Sequence, residues 1–168
     1  MVIRGVTFYI DGELSPEIKF LFEDFRLAVN KAIRIGLQSG VTSRYRLSKL
    51  AYKDLRSEHQ IYSQHIVSAI EIAASILKNY RHAIRKGKKL KIPYVKRPMM
   101  KAENQAYKLD RETGEVDLPI RAGKHIKLKL IVSDYHRKYL DNPAYSLGSL
   151  TLLPDRVIIA FRKYTPKP

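Results

Sequence analysis

Cysteine is absent from the 168 residues. That removes disulfides, thiolate zinc sites and a cysteine nucleophile together, and it fits a reducing compartment. No apolar run approaches the roughly 18 residues that a membrane span needs. The opening MVIRGVTFYIDGEL alternates and soon meets acids instead of running into the apolar stretch of a secretory signal. There is no glycine-rich phosphate loop and no serine elbow of the hydrolase type. The histidines offer no metal pair: His59, His65, His82, His125 and His136 never fall at the i, i+4 spacing that sets two imidazoles on one helix face. Structural or surface roles are expected for all five.

Acids are also scarce, 16 against 32 Lys and Arg, for a net charge of +16. Four of them, Asp110, Glu112, Glu115 and Asp117, cluster around a hairpin where turn chemistry and solubility account for them. A two-metal nuclease would instead want carboxylates converging from separate elements. With so few candidates for chemistry, the chain is expected not to be an enzyme by itself and to need no cofactor. The uncompensated positive charge points to phosphate as the partner. It is uneven: residues 1–80 hold 11 basic and 8 acidic residues, a net +3, and residues 81–168 hold 21 and 8, a net +13.

Apolar residues make up 45% of the chain, enough for one substantial core or two small ones. The near alternation of Val2, Val6, Phe8 and Ile10, closed by Asp11-Gly12, predicts a strand and a turn. Ser15 and Pro16 then open a helix carrying Ile18, Leu21, Phe22, Phe25, Val29, Ala32 and Ile33 on one face. After Ser39-Gly40 a second helix places Leu47, Leu50, Ala51 and Leu55 together. A third carries Ile66, Ala69, Ile70, Ala73, Ile76, Leu77, Tyr80 and Ile84 and stops at Gly87. From there the period changes to two. NQAYKLD, VDLPI and HIKLKLIV read as strands joined by RETGE and RAGK, followed by SLGSLTLL and RVIIAFRKY and a linker-like TPKP. The prediction is an α+β chain: a small antiparallel β-barrel, residues 1–12 and 102–165, interrupted after its first strand by a three-helix insertion, residues 13–101.

The insertion ends in RKGKKLKIPYVKRPMMK, residues 85–101, with eight Lys or Arg and no acid. Lys78, Arg81, Arg85, Lys86, Lys88, Lys89, Lys91, Lys96, Arg97 and Lys101 form one basic run, which Pro93 and Pro98 keep extended. Such a strap can follow a phosphate backbone, releasing counterions as it neutralises charge, and Tyr94 can stack on an unpaired base. A solvated loop, a polybasic membrane patch and a nuclear import signal share the composition. On the second helix Arg44, Arg46, Lys49, Lys53 and Arg56, with Tyr45 and Tyr52, make a basic face with interleaved aromatics, a nucleic-acid surface or a merely solvated one. Ser63, Gln64 and Ser68 at the start of the third helix are polar groups suited to capping or, for Gln64, to an adenine edge.

In order, YRLSKLAYKDLR, YSQHIVSAIEIAASILKNY, KGKKLKIPYVKR and GEVDLPIRAGKHIKLKL resemble the N-terminal part of the transposon-encoded OrfB/TnpB family, RNA-guided DNA nucleases related to type V CRISPR effectors. The matching positions are Ser63-Gln64, Tyr80, Gly87-Lys88 and Pro93-Tyr94, with Lys96 one place late. The resemblance implies a wedge- or OB-like barrel interrupted by a helical recognition lobe that grips guide-type RNA, its pairing with the target, and a short motif in the flanking double-stranded DNA. It also implies a cytoplasmic, nucleoid-associated prokaryotic protein. Ser63, Gln64 and Ser68 become candidates for the flanking motif, with Lys49 and Lys53 nearby. The family's RuvC-like catalytic domain, with its acids and cysteine zinc ribbon, is missing from this chain, so binding without cutting is expected. A stand-alone DNA- or RNA-binding regulator and a small metal-dependent nuclease using Asp110 and Asp117 remain the rivals.

Overall fold

A computed structural model describes residues 1–121 and 123–166. Ala122 of the predicted RAGK turn, and Lys167 and Pro168 of the predicted linker, lie outside the described residues. The elements run β1 (Val2–Tyr9), α1 (Pro16–Ser39), α2 (Arg44–Glu58), α3 (Ser63–Arg85), β2 (Met100–Ala102), β3 (Lys108–Leu109), β4 (Glu115–Arg121), β5 (Lys124–Lys129), α4 (Asp134–Leu140), β6 (Tyr145–Leu152) and β7 (Arg156–Lys163). The chain is α+β, with four helices and antiparallel sheets. It divides into two compact units, residues 1–19 with 101–168, and residues 20–100. Among the described residues no helix is long and apolar enough to cross a membrane.

In the helical unit the 3.6-residue period does most of the work. Ser15 accepts from the Ile18 N–H at 3.4 Å at the head of α1, and all seven apolar positions expected on this helix are buried. Ser43 caps α2 by accepting from the Arg46 N–H. Its buried stripe is narrower than expected: Leu47, Ala51 and Leu55 are buried but Leu50 is 46% exposed. Positions 47, 51 and 55 form a strict i+4 row, which is all that a helix packed along one side needs. Gly87, with φ +86°, ends α3: its N–H reaches Ile84 O, and the Lys88 N–H reaches Ala83 O at 3.1 Å. This is the left-handed glycine cap that the sequence anticipates. His59, the C-cap of α2, is held by Asp24 of α1 at 2.7 Å.

Gly36 is where α1 meets α3. A methyl group there would run into the Leu77 side chain and lie 2.9 Å from the Val41 carbonyl oxygen. Alanine gains about 1 kcal/mol of helix propensity over glycine, but overpacking against a backbone atom costs about 1–3 kcal/mol. Gly36→Ala is therefore expected to lower the urea midpoint with the slope unchanged. A raised midpoint would show that the two helices can separate freely.

In the strand-rich unit, one sheet has the order β1-β7-β6-β2 and the other β3-β4-β5. β7 pairs antiparallel with both β1 and β6, and β4 with both β3 and β5. The expected closed barrel is not formed. β1 spends its length on β7 and meets the far end of β5 only at the Ile10–Leu130 bridge, beside bonds from Asp11 N–H to Lys129 O and from Ile131 N–H to Tyr9 O, both 2.8 Å. Gly12, φ +89°, then turns the chain away. The strand expected from NQAYKLD shrinks to Lys108–Leu109, and β2 and α4 are additional.

Long-range bonds hold α4 in place. The Ser133 N–H donates to His136 Nδ1 at 2.9 Å, so Nε2 carries the ring proton and donates to Thr7 O at 2.8 Å. The imidazole also stacks on Phe8 with ring centres 4.2 Å apart. His136 thus has the structural role expected of it.

Candidate nucleic-acid interface

After the Gly87 cap the chain forms no helix or strand until Met100. A stretch this basic, with no ladder to hold it, would be a mobile loop if nothing else fixed it. It is fixed at Val95. The Asn30 side chain donates from Nδ2 to Val95 O at 3.1 Å and accepts the Val95 N–H on Oδ1 at 2.7 Å, so one amide satisfies both polar groups of the residue. Arg26 adds a bond from Nη1 to the same carbonyl at 3.2 Å, while its other donors hold Glu23. That contact lowers the Glu23 carboxyl pKa, chiefly through the hydrogen bond from Arg26. Asn30 is itself buried on α1, which makes the clamp part of the helical core.

The clamp orients its neighbours. In extended backbone successive side chains point to opposite sides. Pro93 and Val95 are half-buried, while Ile92, Tyr94 and Lys96 are exposed. Lys96 Nζ lies 5.2 Å from the centre of the Tyr94 ring. Lys78, Arg81, Arg85, Lys86, Lys88, Lys89, Lys91, Lys96 and Arg97 are all exposed. None of them forms an ion pair with an acid among the described residues, whereas Lys101 is paired with Glu103 at 3.7 Å. Tyr80 is half-buried and lines a cavity of about 250 Å³ with Leu77, Arg81 and Ile84.

The other predicted residues fall into three groups. On α2, Arg46, Lys49, Lys53 and Arg56 are exposed, and Lys49 Nζ sits 4.4 Å from the exposed Tyr45 ring. Arg44 is exposed but tied to Glu71 of α3 at 2.8 Å, and Tyr52 is half-buried. At the head of α3, Gln64 is exposed and Ser63 half-buried, beside the edge-on pair of Tyr62 and His65. Ser68 is only 1% exposed. It faces inward one turn along α3 and cannot present its hydroxyl to a nucleic acid, which corrects the expectation for that residue. The hairpin acids do turn chemistry: Asp110 accepts the Glu112 and Thr113 N–H groups at 2.9 and 3.2 Å, which lowers its carboxyl pKa. Asp117 contacts His125 across the exposed hairpin.

Asn30 and Arg26 were not anticipated. The one signal was an amide in an otherwise apolar helical row, between Val29 and Ala32. Residues 21–117, more than half of the chain, match the model of the Uncharacterized protein MJ0013 family. The chain belongs to the MJ0013 family. No curated protein matches the sequence. The span matched by the MJ0013 family model runs from α1 into β4 and includes both ends of the clamp, Asn30 and Val95.

Proposed function

We propose that this MJ0013-family chain is a nucleic-acid-binding module that grips structured RNA along residues 86–97. The observation that carries this reading is the clamp: it holds an unpaired, exposed cationic segment in extended form on a rigid helix. Ordered cations without acid partners are placed to neutralise successive phosphates, and the exposed Tyr94 ring can stack on a base.

The finer reading follows the OrfB/TnpB resemblance. The two sheets joined at the Ile10–Leu130 bridge would serve as a half-open wedge-like barrel, with α1 to α3 as the recognition lobe inserted after β1. The lobe would hold guide-type RNA and the double-stranded target DNA, with Gln64 and Ser63 toward the flanking motif. In such a system base pairing reads the sequence, and the protein reads shape and a short flank. The chain would act in the prokaryotic cytoplasm at the nucleoid, bind without cutting, and rely on a separate nuclease domain for cleavage.

The test is a titration of the full chain with a stem-loop RNA at several salt concentrations. A protein neutralising about six phosphates loses on the order of a thousandfold in affinity between 50 and 200 mM salt. A steep linear dependence of log K on log salt is expected. Binding that ignores salt would exclude the phosphate-following strap.

A further inference from the structure

A second cluster of rings and cations lies in the strand-rich unit, on residues that the strap reading does not use. Register sets it up. Val157, Ile159, Phe161 and Lys163 alternate onto one face of β7; Arg4 is opposite Phe161, and Tyr145 is opposite Lys163. This face is wholly buried at Ile159 and Phe161, then changes character at its end to Arg4, Tyr145 and Lys163. Helix α4 contributes Tyr135, Lys138 and Tyr139 to the same place.

The rings form a chain. Tyr135 and Tyr139 are 5.7 Å apart, Tyr139 and Tyr145 5.2 Å, and Tyr139 rests on the buried Phe161 at 5.6 Å. Each end carries an ammonium group, Lys138 at 5.4 Å from the Tyr135 ring centre and Lys163 at 5.7 Å from that of Tyr145. Arg4 acts on the Tyr135 hydroxyl electrostatically. None of Arg4, Lys138 and Lys163 forms an ion pair with an acid among the described residues, and Asp141, the acid that ends α4, is taken by Arg137.

A sealed aromatic core has a different appearance. It buries its rings and keeps ammonium groups out, whereas Tyr135 is 53% exposed and Tyr139 and Tyr145 are half-buried. An ammonium over an exposed ring is held by only about 0.5–1 kcal/mol, so it exchanges readily for another flat or cationic group. A nucleotide satisfies both partners at once. Its base takes the ring face, and the displaced lysine moves to the phosphate.

We infer that the Tyr135–Tyr139–Tyr145 ladder is a second nucleic-acid site, taking two or three successive unpaired nucleotides of an RNA strand. Bases stack on Tyr135 and Tyr145, and phosphates meet Lys138, Lys163 and Arg4. The inference rests on the nucleic-acid reading for its class of ligand but not on the strap.

The experiment uses the full chain and two RNA probes, a 12-nucleotide oligouridine and a blunt duplex with no unpaired base. Tyr135→Ala is expected to weaken oligouridine binding by about 5- to 100-fold, the range for losing one stacked base, and to leave the duplex unaffected. Tyr135→Phe keeps the ring and should bind as the parent does. Lys163→Gln should weaken oligouridine and lower its salt slope by about 0.7. Ultraviolet crosslinking of the unaltered protein to oligouridine should map to residues 134–145, a readout that does not depend on any variant folding.

The crosslink should persist when Lys88, Lys89, Lys91, Lys96 and Arg97 are replaced by glutamine, which separates this site from the strap. Oligouridine binding unchanged by Tyr135→Ala, with crosslinks elsewhere, overturns the ladder and leaves the strap standing. Failure of the unaltered protein to bind either RNA overturns both.

Discussion

Replacing Lys88, Lys89, Lys91, Lys96 and Arg97 together by glutamine is expected to cut affinity for a stem-loop RNA on the order of a thousandfold at 0.1 M salt. Each phosphate contact on a single strand contributes about 0.7 to the slope of log K against log salt, so five contacts contribute about 3.5 per decade below 1 M. The slope should fall by that amount along with the affinity. These five side chains are exposed and have no acid partner among the described residues, so stability should change little. A charge-matched variant separates local from global effects: Lys108, Arg121, Lys124, Lys127 and Lys129 lie on β3, β4 and β5. Neutralising them removes the same net charge. Equal losses in both variants would mean that RNA responds only to the total field of the protein, and the strap assignment would fail.

The second large effect is expected at Asn30. In Asn30→Leu the side chain keeps its bulk and loses both bonds to Val95. Arg26 can still serve the carbonyl, but the half-buried Val95 N–H has no substitute. An orphaned donor of this kind costs about 1–3 kcal/mol. The segment can avoid that cost by peeling away from α1 and exposing its backbone to water, so the loss should appear as local release more than as global unfolding. At 1.4 kcal/mol per factor of ten, the open form becomes roughly 5- to 150-fold more populated. Trypsin has target side chains throughout residues 85–97, and cleavage there needs a mobile backbone. Clipping in this segment should accelerate by about the same factor, followed by mass spectrometry, while the midpoint of thermal unfolding moves by a few degrees at most. Equal clipping rates in parent and variant would show that Asn30 does not hold the strap. If clipping accelerates but RNA affinity is unchanged, an ordered strap is not what RNA recognises.

The parts of the fold legible in the sequence are those set by neighbours along the chain. The seven apolar positions of α1, the Ser43 and Gly87 caps and the alternation of β5 each depend on spacings of two to four residues. Leu50 was misplaced because the period alone does not say how wide a stripe the partner helix covers. Helix α4 was invisible for a different reason. Its seven residues contain three tyrosines or phenylalanine-like rings' worth of bulk but no apolar period, and it is secured by His136 reaching Thr7, 129 positions away. The barrel expectation failed at the same level, because pairing β1 with β7 rather than closing on β5 is decided by contacts at opposite ends of the chain. The basic strap could be found by composition, and its exposure follows. Its anchorage could not, since an asparagine that bonds a main chain carries no local pattern. Ser68 shows the converse limit: a polar residue near a helix start reads as surface, yet this one points inward.

The Val95 clamp also bears on how sequences of this family can diverge. Asn30 bonds only the main-chain N–H and C=O of its partner, so it is indifferent to the side chain that residue 95 carries. Position 95 can drift among residues of moderate size without loosening the strap. Position 30 has no such freedom, because aspartate lacks the donor, leucine lacks both groups and glutamine is one methylene too long for the same reach. Relatives that keep the strap should therefore hold asparagine at 30 against a variable 95, a one-sided constraint that a search for covarying pairs would miss.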